Sequence, residues 1–346
     1  WYTLAIQMEH SRLTNKEFTG GAADLYKAFD QIQRPVVEAV LSAAGMPMQV
    51  LKPYLHMLNN LQAHNSFDQH LGAPYTPPCG IPQGCPFSMM TLALLCRPWI
   101  LKTRQLQALP RLLADDLTIS AHSSDLAPPQ QHHLNTFIRA FDSTLKYFKD
   151  LGAKISPHKS FTFSSHPPTR NFLRNLTWDA INTTIPVKLH CRDLGAHLNT
   201  AKTLYGATIH RRIDSATHSA GRLRRTPTSK QHKITVAQTK ILQMALYGCE
   251  VQPIADSHFA KLRTAIADIV GTRSARRALD TTFAFNSTHQ ADLDPLVHVA
   301  HRRYRLLRRT LAKRSDLAGI IQEIFQSYSN KNFPGTTSFI SLHHSN

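Results

Sequence analysis

Two rhythms of apolar residues run along the chain, one at helical spacing and one in short alternating or continuous runs, and together they mark its elements. Ala22–Phe29 reads as a strand running into a turn, and Pro35–Leu61 as helical segments broken at Gly45-Met46-Pro47. Gly72–Gly84 (GAPYTPPCGIPQG) is rich in Pro and Gly, which predicts a loop, and an apolar helix follows over about Phe87–Leu106. In Arg111–His122, two apolar runs flank Asp115-Asp116, the pattern of a β-hairpin with the acids at its tip. Gln130–Leu151 is strongly amphipathic, with Leu134, Phe137, Ile138, Phe141, Leu145 and Phe148 on one face, and it stops at Gly152. Lys154–Phe163 and Val187–Leu198 read as strands, and from about Thr200 the pattern turns helical and basic. Arg222–Ser229 and Phe283–Gln290 have loop composition, Asn330–Asn346 is a polar end expected to fray, and no internal repeat is visible.

Composition narrows the classes. With 346 residues, 42% of them hydrophobic, the chain holds two or three domains' worth of core and is neither disordered nor fibrous. Forty Lys and Arg against 22 Asp and Glu give a formal charge of +18, a balance suited to a polyanionic partner. The excess is one-sided. Residues 1–150 carry 12 basic and 11 acidic residues, whereas residues 151–346 carry 28 and 11. That split pairs a first half whose carboxylates do chemistry with a second half that grips phosphates, against the plainer reading of a solubilising surface. Five cysteines without a CxxC or CxxH pair make neither a disulfide framework nor a zinc finger. The twenty histidines lack a ligand-spaced cysteine or acid set and read as surface or core residues. No run of 18 apolar residues and no signal-peptide pattern occur, so membrane insertion and secretion are not expected. An intracellular location, nucleus or cytoplasm, is the expectation, and the opening Trp suggests a fragment.

The acids carry the candidate chemistry. Asp24 ends one predicted strand, and Asp115-Asp116 cap a hairpin about ninety residues later, so they meet only if a sheet sets those strands side by side. Such convergence suits a pair of Mg²⁺ ions, which as hard cations take carboxylate and phosphate oxygens. Neighbouring residues on a strand face opposite ways, so one of the pair is expected as ligand, Asp115, and the other as a supporting acid. Alone, an Asp at a hairpin tip reads more simply as a turn former.

Five segments in order change that reading: DLYKAFD (24–30), GIPQGCPFS (80–88), LADD (113–116), LGAKISPHKS (151–160) and RDLGAHL (192–198). Together they resemble motifs A to E in the palm of reverse transcriptases, particularly those of non-LTR, LINE-like retrotransposons. The resemblance covers residues 20–200 by motif and extends more loosely to about 272, where KILQMALYGCEV (240–251) is similar to the thumb helix of LINE-like enzymes. Asp24 and Gln83 are 59 residues apart, and Gln83 and Asp115 are 32 apart, spacings that fit the family.

The resemblance implies that Asp24, Asp115 and the carbonyl of Leu25 bind two Mg²⁺ ions, with Mn²⁺ a possible substitute, and that Asp116 stands beside them. Phe29 would pack under the nucleotide sugar and exclude a 2′-hydroxyl, although a core role is equally compatible with its sequence. Gln83 would lie under the incoming dNTP, and Gly80 and Gly84 would let backbone approach template and substrate. Lys159 matches the motif D lysine, a general acid for the pyrophosphate leaving group, with Lys154 as the alternative. Leu194-Gly195 would hold the primer end. Arg211, Arg212, Arg222, Arg224, Arg225 and Lys230, with Lys202 and Lys233, would contact the phosphates of an RNA template and DNA primer, as would Arg302, Arg305 and Arg309.

Departures from the family pattern are Leu113, where an aromatic is usual, Cys85, Phe87 and Met89 in motif B, and only 23 residues before Asp24, which omits the fingers cations. No endonuclease domain, cysteine–histidine knuckle or ribonuclease H constellation is evident. The expected fold is α+β, a right-hand polymerase palm: fingers remnant over 1–23, palm with fingers elements over 24–199, helical basic thumb over 200–315 and polar tail over 316–346. The expected reaction is RNA-templated DNA synthesis. The rivals are a viral-type RNA-dependent RNA polymerase, a group II intron maturase, and a decayed remnant that only binds nucleic acid.

Overall fold

A computed structural model of the chain describes residues 2–122, 129–193, 195–200, 207–252, 254–274, 276–286 and 293–329. The chain divides into two compact units, one of Glu17–Lys188 and the other of Trp1–Lys16 with Leu189–Asn346. These divisions fall at 16/17 and 188/189, against 23/24 and 199/200 in the sequence reading.

Helix α1 (Tyr2–Thr14) opens the chain and belongs to the second unit. The first unit runs β1 (Phe18–Ala23), α2 (Arg34–Ala43), α3 (Met48–Asn59), a short hairpin of β2 (Ser66–Phe67) and β3 (His70–Leu71), and α4 (Pro86–Gln105). It continues with β4 (Leu109–Leu113), β5 (Asp116–His122), α5 (Pro129–Asp150), β6 (Phe161–Ser164), α6 (Pro167–Asn175), and a second hairpin of β7 (Thr177–Trp178) and β8 (Thr183–Thr184). Four strands form an antiparallel sheet in the order β4-β5-β1-β6. Strand β1 is therefore central, although it lies first in sequence.

The centre of β1 has no side chains, and that decides how it packs. A Cβ on Gly20 would sit 2.5 Å from the Phe163 ring, and one on Gly21 would sit 2.7 Å from the Phe141 ring. Aromatic rings from β6 and α5 thus lie directly on the β1 backbone. The apolar face of α5 supplies Phe137, Phe141, Leu145 and Phe148, all buried. With Ala23 and Leu25 of the first chain segment, Leu117, Ile119 and Ala121 of β5, and Trp99 of α4, they make one core. Helix α5 ends where Gly152 turns at φ +83 and the N–H groups of Gly152 and Ala153 reach back to Lys149 and Phe148. Helices α2 and α3 bury Val37, Leu41, Leu51, Tyr54 and Leu58 in a second cluster with Ile81.

The second unit adds the hairpin β9 (His190–Asp193) and β10 (Ala196–Asn199), then α7 (Ala207–Arg225), α8 (Lys230–Val236), a π-helical turn (Ala237–Leu242), α9 (Gln243–Leu246), α10 (Asp256–Val270), α11 (Leu279–Asn286), α12 (Pro295–Lys313) and α13 (Ala318–Ser329). Helix α7 buries Ile209, Ile213, Ala216 and Ala220 against Leu262, Ile266 and Ala267 of α10. Among the described residues no helix is long and apolar enough to cross a membrane, and no disulfide joins the cysteines.

Several expected elements shift. The first strand is Phe18–Ala23 and not Ala22–Phe29, because the glycines that break the apolar rhythm lie under aromatic rings. Of the expected strand Lys154–Phe163, Phe161–Phe163 fall in β6 and Ile155 makes an isolated bridge, and Val187–Leu198 is resolved into a hairpin that turns at Gly195, φ +78. Helix α7 continues through Arg225, so the loop expected over Arg222–Ser229 is confined to 226–229, and α11 covers Phe283–Asn286 of the second expected loop. Residues 287–290, the tail 330–346, Leu194 and Lys202 lie outside the described residues.

The start of β1 is anchored by Glu17, which is 8% exposed. Its carboxylate accepts from Thr169 and Ser164 and stands 3.3 Å from His133 Nε2 and 3.7 Å from His166 Nδ1. Burial pushes this carboxyl up, but the hydrogen bonds from His133 and Thr169 and the neighbouring imidazole charges outweigh it and hold it below its ordinary value of 4.5. A carboxyl held low in the folded state contributes stability above its ordinary value and loses it as pH falls through the folded value. Stability is therefore expected to drop on acidification below 4.5, and Glu17→Gln should flatten that limb while costing about 1–3 kcal/mol at neutral pH, as denaturant melts at each pH will report.

Candidate active site

Alternation along the strands sorts the acids. Ala23 and Leu25 both enter the core beneath α5, so Asp24 between them faces the opposite side of the sheet. In β5, Leu117, Ile119 and Ala121 enter the same core, which turns Asp116 to the side that Asp24 faces. The β1–β5 register pairs Ala22 with Thr118 and Ala23 with Leu117; one further step sets Asp24 across from Asp116. Asp115 is next to it in the two-residue turn closed by the Leu113–Asp116 pair. The sequence reading had put Asp115 first and Asp116 beside it; the strand register brings Asp116 level with Asp24.

That turn is tight. Ala114 stands at φ 53, a left-handed conformation costing a non-glycine residue about 1–2 kcal/mol but matched to the twist of a hairpin. Asp115 and Asp116 are exposed and Asp24 is half-buried. Leu113, in the place where the family pattern carries an aromatic, is 56% exposed.

Asp24 is held through its backbone. Its N–H donates to Ser160 Oγ at 3.0 Å, and its carbonyl accepts from the N–H of Ser156 at 2.9 Å. The N–H of Tyr26 donates to the carbonyl of Lys154 at 2.8 Å, which makes an antiparallel bridge between Leu25 and Ile155. The bridge bonds use Asp24 and Tyr26, so the carbonyl of Leu25 lies off that ladder. Ser160 is fully buried and itself donates to the carbonyl of Ser156 at 2.8 Å. Sequence reasoning did not single it out; its only signal was its place next to Lys159.

The motif B loop docks on the turn after Asp24. Gly80 N–H donates to the Ile32 carbonyl at 2.8 Å, Ile81 N–H to the Phe29 carbonyl at 2.9 Å, and Cys79 Sγ to the Asp30 carbonyl at 3.2 Å. Gly80 is at φ +96, and a Cβ there would lie 2.9 Å from Asp30 Cα and O, so no side chain fits. Phe29 is half-buried and packs against both cores of the unit. Gln83 and Gly84 are exposed on the loop, Gly84 at φ +89.

The two candidate lysines differ. Lys159 is exposed in the turn before β6. Lys154 is tied to the strand after Asp24: its N–H donates to Gln31 Oε1 at 2.6 Å, and its ammonium lies 5.9 Å from the Tyr26 ring centroid, where Lys27 also approaches at 5.8 Å.

The donor set around Asp24 is carboxylate and carbonyl oxygen, which fits a hard divalent cation. Among the described residues no group of three or more His, Cys, Asp or Glu gathers into a cage. Two carboxylates and a carbonyl leave most of a coordination shell for substrate phosphate and water.

Residues 5–206, more than half of the chain, match the family described as Reverse transcriptase (RNA-dependent DNA polymerase). The chain belongs to the reverse transcriptase family. The match spans all five motif segments, and the α+β fold with its antiparallel sheet is the reverse transcriptase palm type. A solved structure of telomerase from Candida tropicalis, in complex with a TWJ fragment of telomeric RNA, is similar at a TM-score of 0.42 and 9% identity over 94% of this chain and 52% of that one. The chain thus spans about half the length of that protein.

Beyond the segment 192–198, this member of the family deploys its cations unevenly. Arg211, Arg222, Arg225 and Lys230 are exposed on α7 and at the start of α8, and Arg224 is half-buried. Arg212 is committed: it donates to the Tyr247 carbonyl at 2.7 Å and its guanidinium lies 4.9 Å from the Tyr247 ring. On α12, Arg302 pairs with Glu250 at 2.8 Å and Arg303 donates to the carbonyls of Cys249 and Gln252, whereas Arg305 and Arg309 stay exposed.

Removing the hydroxyl that receives the Asp24 N–H should displace the strand end and leave a buried donor unpaired, at about 1–3 kcal/mol. For Ser160→Ala we expect lowered stability in chemical melts, with nucleotide incorporation falling further than that stability loss accounts for at temperatures where the variant is fully folded.

Proposed function

We propose that the chain is the polymerase core of a non-LTR retrotransposon reverse transcriptase, extending a DNA primer on an RNA template from dNTPs. The observation that carries this is the strand register that brings Asp24 of the motif A segment level with Asp116 of the motif C segment, on the face of the sheet opposite to the α5 core. The five motif segments in order, and the resemblance of KILQMALYGCEV to a LINE-like thumb helix, favour this branch over a group II intron maturase.

In this reading the primer 3′-hydroxyl attacks the α-phosphate of the dNTP and pyrophosphate leaves. Asp24, Asp115 and the Leu25 carbonyl would hold two Mg²⁺ ions, with Asp116 beside them, and these ions supply charge neutralisation and a lowered hydroxyl pKa. Phe29 underlies the sugar and disfavours a 2′-hydroxyl by contact. Gln83 and Gly84 present the motif B loop to the nucleotide. Lys159, or Lys154 on the bridge beside Leu25, donates the proton taken up by the leaving pyrophosphate oxygen. Arg211, Arg222, Arg224, Arg225 and Lys230 meet the duplex phosphates, while Arg212, bonded to the Tyr247 carbonyl, supports the helix that carries them.

The test is primer extension with dTTP and Mg²⁺ on a poly(rA)–oligo(dT) duplex. Extension reduced by about a thousandfold or more in Asp24→Asn and Asp115→Asn, with duplex binding retained, is the expected outcome. Binding without any extension by the unsubstituted chain would favour a remnant that only binds nucleic acid, and preference for ribonucleotides would favour an RNA-synthesising polymerase.

Duplex binding should also weaken with salt. Replacing Arg211, Arg222, Arg225 and Lys230 together by Ala is expected to reduce the slope of log K against log salt by about 3, whereas Arg212→Ala should show mainly as lost thermal stability. Fluorescence anisotropy across a salt series measures the first and thermal unfolding the second.

A further inference from the structure

On the α5 side of the sheet, opposite to the face of Asp24 and Asp116, lies a cavity of about 460 Å³. It is bounded by the end of α4, the outer face of α5 and the strand β7. Lys102 and Leu106 lie just before β4 begins, and the acid turn lies at the far end of that strand, about 15 Å away at roughly 3.3 Å per residue. The cavity is distinct from the candidate active site.

Its lining has two parts. Leu106, Ile138, Leu176 and Trp178 give an apolar floor; Trp178 is 1% exposed and its indole N–H finds no acceptor. Lys102, Arg139 and Lys146 bring three cations to the same concavity, the last two from one face of α5. None of the three makes an ion pair with a described residue. This is unlike Arg263, Arg277, Arg302 and Arg314 elsewhere in the chain, each of which has an acid within 2.5–2.8 Å. Of the two acids at the cavity, Asp142 is already engaged by the Ala180 N–H at 3.0 Å, and Asp179 is exposed. The hydroxyls of Ser143 and Thr177 add neutral donors.

A concave site of this volume, apolar at its base and cationic on one wall, suits an amphipathic anion with a flat ring and phosphates. We propose that the cavity is a second nucleotide site of this reverse transcriptase, remote from the catalytic acids. The base rests on the Leu106–Ile138–Leu176 floor and the phosphates meet Lys102, Arg139 and Lys146. The shared chemistry is that of a nucleoside phosphate, whether free or within an RNA strand. The inference does not depend on polymerase activity.

Photocrosslinking of the full chain in EDTA separates the outcomes, because chelation disfavours metal-dependent occupancy at the acids. Two probes are used, 8-azido-ATP and a pentaribonucleotide carrying 4-thiouridine, and the adducts are mapped by peptide mass spectrometry. Adducts on the segment Leu176–Asp179 or around Leu106 are expected, reduced at least about tenfold when Lys102, Arg139 and Lys146 are all replaced by Ala. They should return in the charge-preserving set Lys102→Arg, Arg139→Lys and Lys146→Arg, with all three proteins melting alike. Adducts from the azide probe alone identify a free nucleotide, and adducts from the pentamer alone identify an RNA strand. Absence of adducts at these segments with both probes, or adducts unchanged in the triple Ala variant, overturns the proposal.

Discussion

The face that carries Asp24 and Asp116 depends on two residues that have no side chains. With Gly20 and Gly21 at the middle of β1, the Phe163 and Phe141 rings lie on the strand's backbone from opposite faces, and any Cβ there would have to displace an aromatic ring from a packed core. The rings act as a clamp on register. A slip of one residue would send every β1 side chain to the other face, turning Asp24 into the apolar core with Phe137 and Phe141 and removing it from the side that Asp116 faces. Burying an unpaired carboxylate in that core is prohibitive, so packing and site geometry exclude the slipped register together.

The second constraint is that the segments of the site are joined largely through backbone. Asp24 is fixed by its N–H and carbonyl, Leu25 by the bridge to Ile155, and the motif B loop by bonds from Gly80 and Ile81 to the carbonyls of Ile32 and Phe29. Gly80 permits this because the loop passes within contact distance of the Asp30 backbone. Segments about fifty residues or more apart are joined in this way by main-chain groups, and Asp115 is left on an exposed turn.

Much of this was legible in the sequence, for identifiable reasons. The acid hairpin followed from two apolar runs around an acidic pair, and α5 from an apolar face that repeats at helical spacing; both patterns are local and strong. The helices of Pro35–Leu61, broken at Gly45, were readable because Gly and Pro act on their own neighbours. Strand β1 was misplaced because FTGGAA has a single β-branched residue, Thr19, and no alternation; its β character comes from its neighbours, which no local pattern records. Ser160 was missed for a related reason, since a serine among lysines and prolines gives no sign that its hydroxyl receives an N–H from 136 residues away. Leu194 and Lys202 lie outside the described residues.

Charge shows the same limit. Counting cations located the basic half of the chain but could not say which of them are available to a polyanion. Arg303 satisfies the carbonyls of Cys249 and Gln252, Arg302 pairs with Glu250, and Arg263 bridges Asp280 and Asp294. A guanidinium fixed in this way has exchanged its hydration for fixed oxygens and has little to offer a phosphate. The available cations are those that the fold leaves without acids, and they occur in both units: Arg211, Arg222, Arg225 and Lys230 on and after α7, and Lys102, Arg139 and Lys146 around the α5 cavity. The second group lies in the half of the chain whose formal charge is almost balanced, where a count averages it away and only the convergence of α4 and α5 brings it together.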